Sequence, residues 1–196
     1  NIKIIEIPNK ETLLPIKYLV NTRKISFSSD NLYMLLSGTY YLDNSTLINP
    51  IPYILYDLKN NKEIISASNS LLNSNGLGFG PGSSIISPDG QKILIKSFDK
   101  LSIYDMSNNK LIIFKGKHDQ IITFYEFSKN SKKVISAGWD WKIKLWDAST
   151  GNILQTFNNK SNTINSKLIS DDKYLVSIGA DGLYKLWDVN SRMLLY

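Results

Sequence analysis

The sequence contains no cysteine and one histidine, His118. The first absence removes disulfides, thiolate metal sites and cysteine nucleophiles together, and it fits a reducing compartment, the cytoplasm or the nucleus. The second removes histidine-based zinc sites, which need several imidazole or thiolate ligands, and no carboxylate motif for a cation takes their place. No metal and no cofactor is expected. Long apolar runs are missing too. The longest, such as Ile51–Leu58, are strand length and are broken by Pro52, Tyr56 and Asp57, whereas a membrane-spanning helix needs roughly 20 apolar residues. A soluble protein without a membrane partner is expected.

What remains is ordinary globular material: 196 residues, 42% hydrophobic and 20% charged, enough for a sizeable core and too apolar for disorder. A net charge of +6 permits attraction to nucleic acid. The lysines are scattered, however, often singly in polar turns such as Asn60-Asn61-Lys62 and Asn108-Asn109-Lys110. Solvated turn lysines explain this more simply than a nucleic-acid surface. The chain opens on Asn1 and not on Met, so sequence upstream is expected.

An internal repeat organises the chain. Leu55-Tyr56-Asp57, Ile103-Tyr104-Asp105, Leu145-Trp146-Asp147 and Leu186-Trp187-Asp188 share an aliphatic–aromatic–Asp pattern, their aspartates 48, 42 and 41 positions apart. A period near 40–45 belongs to four-stranded propeller blades. A second marker keeps phase: Phe27-Ser28-Ser29-Asp30, Ile86-Ser87-Pro88-Asp89-Gly90, Phe127-Ser128-Lys129-Asn130 and Ile169-Ser170-Asp171-Asp172 each end a strand in a polar turn. Ser, Pro, Asp and Gly suit such turns because they cap them, preset φ or tolerate positive φ. Turn signals every 8–12 residues without helix periodicity define an all-β chain.

These residues resemble the WD-repeat β-propeller family. Lys117–Phe157 is similar to a nearly complete repeat and Lys160–Leu195 to a good one; Arg23–Ser66 and Ser83–Phe114 look like diverged copies with Tyr for Trp. The resemblance implies a half blade at 1–20 and blades at 21–66, 67–114 (with a Gly-rich inter-blade loop), 115–157 and 158–196. About four and a half blades fall short of the family's usual seven, and closure hides strand edges. The chain is therefore expected to be part of a larger propeller, its other blades supplied by further sequence or another chain.

The resemblance also implies a structural hydrogen-bonded tetrad, here His118, Ser136, Asp140 and Trp146. The Asp would accept from the imidazole, the imidazole from the hydroxyl and the hydroxyl from the indole N–H. The last repeat keeps Ser177, Asp181 and Trp187 but places Lys160 at the His position. The second keeps Ser97 and Asp99 with Tyr104, so one complete network is expected. Ser, His and Asp together evoke a hydrolase triad, but at these positions the family buries them between strands. Gly76-Leu77-Gly78-Phe79-Gly80-Pro81-Gly82 evokes a phosphate loop, yet a strand and not a helix follows, so an inter-blade loop is the simpler reading.

Connections into each first strand, and turns between second and third strands, emerge on one face, the face such proteins commonly use. Its contact positions map onto Ile121, Thr123 and Trp139 in the third repeat and Thr163, Asn165 and Ala180 in the fourth. Gly80, Gly82 and Phe98 match in the second, and Asn21 and Arg23 in the first. The loop Gly38–Pro52, with Tyr40 and Tyr41, would join them. Trp139 stands where a small residue is usual, and Trp141 replaces the usual turn glycine. Exposed aromatics and Arg favour binding hot spots; the competing reading packs both indoles against a neighbouring blade. The function expected is a non-catalytic scaffold for protein–protein interaction, docking a protein or peptide on this face. Two alternatives are the C-terminal sensor propeller of a multidomain, for example nucleotide-hydrolysing, protein, and a ribonucleoprotein-associated propeller binding RNA through basic loops.

Overall fold

The computed structural model describes residues 2–6, 11–16, 21–39, 53–60, 62–66 and 84–196, and among these every regular element is a β-strand. The Gly-rich stretch 76–82, residues 40–52 with Tyr40 and Tyr41, and the side chains of Asn21 and Arg23 lie outside the described residues.

Two compact units divide the chain, Asn1–Ile86 and Ser87–Tyr196. The first holds a hairpin of β1 (Ile2–Glu6) and β2 (Glu11–Ile16), then β3 (Asn21–Phe27), β4 (Tyr33–Thr39), β5 (Tyr53–Asp57) and β6 (Lys62–Ser66), and ends with β7 (Ser84–Ile86). The second holds β8 (Lys92–Ser97), β9 (Lys100–Asp105) and β10 (Lys110–Ile113). Next come β11 (Ile122–Phe127), β12 (Lys133–Gly138), β13 (Lys142–Asp147) and β14 (Ile153–Asn158), and finally β15 (Thr163–Ile169), β16 (Tyr174–Gly179) and β17 (Tyr184–Asp188). The sheet orders are β1-β2, β3-β4-β5-β6, β10-β9-β8-β7, β11-β12-β13-β14 and β15-β16-β17. Neighbouring strands run antiparallel. Arg192–Tyr196 does not form a fourth strand of the last sheet. It is tied to β17 by a bridge between Trp187 and Leu194 and by Leu195 N–H donating to Leu186 O at 2.7 Å.

Two side-chain devices set the turns. In the first, Ser28, Ser87 and Ser128 each donate a hydroxyl to the carboxylate or amide oxygen two residues on, at Asp30, Asp89 and Asn130. Each hydroxyl also accepts the N–H five residues on, from Tyr33, Lys92 and Lys133 at 3.0, 2.9 and 2.9 Å. In the second, the repeated aspartate closes the turn after the third strand. Asp57 accepts Asn60 N–H at 2.9 Å, Asp105 accepts Ser107 N–H at 3.0 Å, Asp147 accepts Ser149 and Thr150 N–H at 2.9 and 2.8 Å, and Asp188 accepts Ser191 N–H at 2.8 Å. Short oxygen-bearing side chains satisfy backbone donors that a tight turn leaves unpaired. The Ser149 hydroxyl above all, with the Thr150 hydroxyl and the two N–H groups, holds the Asp147 carboxyl below the usual carboxylate range.

The middle strands are buried nearly continuously, β12 and β13 over five and four consecutive residues, while β14 is mostly exposed. Burial of successive residues means that both sheet faces are covered. In the second unit, Ile135, Ala137, Ile143, Leu145 and Phe157 of one sheet pack with Leu168, Leu175, Trp187 and Val189 of the next. Phe114 packs against Trp146 in a tilted arrangement, ring centroids 5.1 Å apart. Each large side chain so buried contributes about 1.5–3 kcal/mol.

Candidate interaction face

The turn between β12 and β13 is fixed from beneath. His118 is fully buried on the segment leading into β11. Its Nδ1 lies 2.9 Å from both carboxylate oxygens of Asp140, and its Nε2 lies 2.7 Å from Ser136 Oγ, which accepts the Trp146 indole N–H at 2.8 Å. Burial lowers the His118 pKa, with Asp140 opposing it. The neutral tautomer that donates from Nδ1 to Asp140 and accepts the Ser136 hydroxyl at Nε2 satisfies every member. Asp140 also accepts Asp119 N–H at 3.0 Å and Lys142 N–H at 3.2 Å. Gly138 allows this closeness: a Cβ there would stand 2.8 Å from Ile121 O and 3.1 Å from both Asp140 Oδ1 and His118 Nδ1. The Ser136 hydroxyl, sealed between indole and imidazole, is placed to hold a blade together and not to meet a substrate.

The last blade uses a different side chain in the same place. Ser177, Asp181 and Trp187 lie 41 positions beyond Ser136, Asp140 and Trp146, and the same step from His118 lands on Asn159, not Lys160. Trp187 Nε1 donates to Ser177 Oγ at 3.1 Å, and Ser177 donates to Asn159 Oδ1 at 3.3 Å. Asn159 Nδ2 reaches Thr163 Oγ1 at 3.0 Å. Lys160 is exposed and does not occupy the His position. Asp181 instead accepts Leu183 N–H at 3.1 Å and faces Lys185 Nζ at 3.2 Å. In the second blade Tyr104 donates to Asn109, and Asp99 pairs with Lys117 at 3.0 Å.

Above these networks the face displays apolar side chains. Backbone bonds string them together: Ile122 N–H donates to Phe98 O at 2.7 Å, Trp139 N–H to Ile121 O at 3.0 Å and Asn159 N–H to Trp141 O at 2.8 Å. Phe98, Trp139 and Trp141 are 54%, 52% and 57% exposed. Phe98 and Trp141 hold φ of 37° and 60°, a region costly for side chains of their size. The position matching Trp141 in the last blade is Gly182, at φ 76°.

The first strands share an irregularity. The register slips between Thr22 and Lys24, Ile122 and Phe124, and Thr163 and Asn165, leaving Arg23, Thr123 and Ile164 as the extra residues. Bulges of this kind re-aim side chains. Thr123 and Asn165 are exposed, as is Ile121. Thr163 does not reach solvent: it is 2% exposed and engaged by Asn159, while the neighbouring Ile164 is 64% exposed. Ile164 was missed because the one-residue slip at Lys160 carried the whole segment out of phase, and the bulge itself leaves no mark in the sequence. Tyr184, exposed at the start of β17, is a further apolar side chain that the repeat pattern alone did not single out.

Lysines surround the aromatics. Lys142 pairs with Asp119 at 2.6 Å. Three amino groups turn inward to backbone carbonyls: Lys96 to Ile122 O at 3.2 Å, Lys144 to Lys117 O at 2.6 Å and Lys185 to Asn159 O. Burial lowers the pKa of Lys96 and of Lys144.

Antiparallel sheets in series, two of them carrying Trp-Asp on the third strand and a buried Ser–Trp hydrogen bond, are consistent with WD-repeat propeller blades. Residues 108–147 match the family model described as WD domain, G-beta repeat, so this stretch of the chain carries a WD repeat. The chain is 25% identical over 111 residues, 57% of its length, to WD repeat-containing protein 89 homolog of Dictyostelium discoideum. Over 90 residues, 44% of its length, it is 32% identical to small ribosomal subunit protein RACK1 of Neurospora crassa. Over 76 residues, 38% of its length, it is 30% identical to methylosome protein WDR77 of Xenopus laevis. The matches span 28%, 28% and 23% of those proteins, so the matched segments cover about a quarter of each.

Proposed function

We propose that the chain is a non-catalytic docking platform for a protein partner, which it engages through Phe98, Ile121, Trp139 and Trp141. One observation carries the reading. The third blade places a large, half-exposed aromatic, Trp141, on a turn residue with positive φ where the last blade uses Gly182, and the second blade's turn likewise holds the half-exposed Phe98 at positive φ. Such a conformation costs on the order of 1 kcal/mol for a side chain with a Cβ. Folding gains little in return from an indole that stays in water, so the benefit lies in what the indole touches. Among the relatives, a methylosome protein and a ribosomal subunit protein are by name members of assemblies, in keeping with this reading.

The test compares proteins retained by the purified chain with those retained by Trp139→Ala and Trp141→Gly variants, each checked to unfold thermally no earlier than the parent. The reading expects a discrete partner retained by the parent chain and lost from both variants. If retention is unchanged and Trp139→Ala lowers stability by about 3–5 kcal/mol, as truncation of a core aromatic does, then Trp139 is a packing residue and the face is misassigned.

A further inference from the structure

The apolar face just described sits in a field of one sign. Lys96, Lys144 and Lys185 carry ammonium groups inward to backbone carbonyls, and of the three only Lys185 also touches a carboxylate, Asp181. Charges held inside a protein are screened far less than charges in water. At the surface Asp99 and Asp119 are each neutralised by a lysine, Lys117 and Lys142. Lys100 and Lys160 stand in the same turns with no ion pair among the described residues. These turns therefore hold seven lysines against four carboxylates, Asp99, Asp119, Asp140 and Asp181. The aspartates that close the third strands, Asp105, Asp147 and Asp188, lie at the opposite strand ends.

We infer that the segment docking on this face is an acidic peptide, with aspartates or glutamates flanking a bulky apolar anchor; the inference rests on the docking reading above. The anchor covers the aromatics and Ile164, and the carboxylates answer the lysine excess. The chemistry favours peptide over nucleic acid. Ile121 and Ile164, exposed on this face with the aromatics, suit an apolar anchor and offer bases no ring to stack on.

The test uses the purified chain and three synthetic peptides, each with a central Leu-Phe pair, flanked by Glu, by Ser or by Lys, together with an oligouridylate. Binding is followed by tryptophan fluorescence and calorimetry at low and high salt. The Glu peptide is expected to bind on the order of tenfold more tightly than the Ser peptide, and the Lys peptide not at all. Salt and a Lys160→Glu substitution should each weaken the Glu peptide, and Trp139→Ala should abolish its binding. If the Ser or Lys peptide binds as well as the Glu peptide and still depends on Trp139, the face docks peptides but the acidic class is wrong. If no peptide binds, or Trp139→Ala changes nothing, the docking reading falls with it. Tighter binding of the oligouridylate than of the Glu peptide overturns the inference in favour of nucleic acid.

Discussion

Replacing Ser136 with alanine removes one oxygen that serves two buried groups. The Trp146 indole N–H, donating at 2.8 Å, loses its acceptor, and His118 Nε2, 2.7 Å away, loses its donor. Both lie in a fully buried environment where water cannot substitute. An unsatisfied buried polar group costs about 1–3 kcal/mol, so the pair should cost about 3–4 kcal/mol, against a total domain stability of about 5–15 kcal/mol. Ser177→Ala removes the corresponding oxygen from longer bonds of 3.1 and 3.3 Å, and Asn159 keeps its bond to Thr163. That loss should be about 1–2 kcal/mol. Ser166 is the internal control: it is buried, yet its hydroxyl has no hydrogen-bond partner among the described residues. Ser166→Ala should leave stability within about 0.5 kcal/mol of the parent, or raise it. Urea unfolding followed by far-UV circular dichroism gives all three values from the midpoints, provided the slope is unchanged. If Ser136→Ala proves as mild as Ser166→Ala, the paired hydrogen bonds are not what stabilises the blade and this accounting is refuted.

Trp141→Gly should raise the unfolding free energy read from the urea midpoint by up to about 1 kcal/mol, since relief at φ 60° outweighs the chain entropy added by glycine; a loss of several kcal/mol would show that the indole is packed. Gly138→Ala should cost about 1–3 kcal/mol, because its Cβ meets the Ile121 carbonyl at 2.8 Å, and an unchanged melting curve would disprove the close approach. His118 has a folded-state pKa below its unfolded value, so the unfolded chain binds more protons and stability rises with pH across that interval. Stability should be complete above about pH 6.5 and fall as pH drops below it. His118→Asn, which borrows the residue used in the last blade, should flatten that slope, and an equal slope in the variant would assign it elsewhere.

The repeat was legible because two classes of side chain must recur for mechanical reasons. An aspartate that caps the turn after each third strand, and a serine that caps the turn after the first strand in three blades, cannot drift without losing backbone partners. Their spacing therefore survives even where Tyr56 and Tyr104 replace tryptophan. Pattern matching failed at Asn159. Its amide takes the hydrogen-bonding place of an imidazole, so residue type concealed the equivalence that the constant step of 41 reveals. That slip in phase put Thr163 on the face and left Ile164 off it. The bulge that turns Ile164 outward is a backbone event driven by register, and no residue type announces it.

Stability and recognition meet in one turn. Asp140 is held by His118 from below and by two backbone N–H groups from the side, and it separates Trp139 from Trp141. The network that staples the blade thus also limits how far these two indoles wander, lowering the entropy a partner must remove on binding. The last blade, with Ala180 and Gly182 in the corresponding posts, builds a similar turn without an aromatic display. Since the turn forms with either set of residues, the indoles are not a requirement of the fold. The third blade bears a conformational cost that the fourth avoids, and the docking surface proposed above supplies a reason for it.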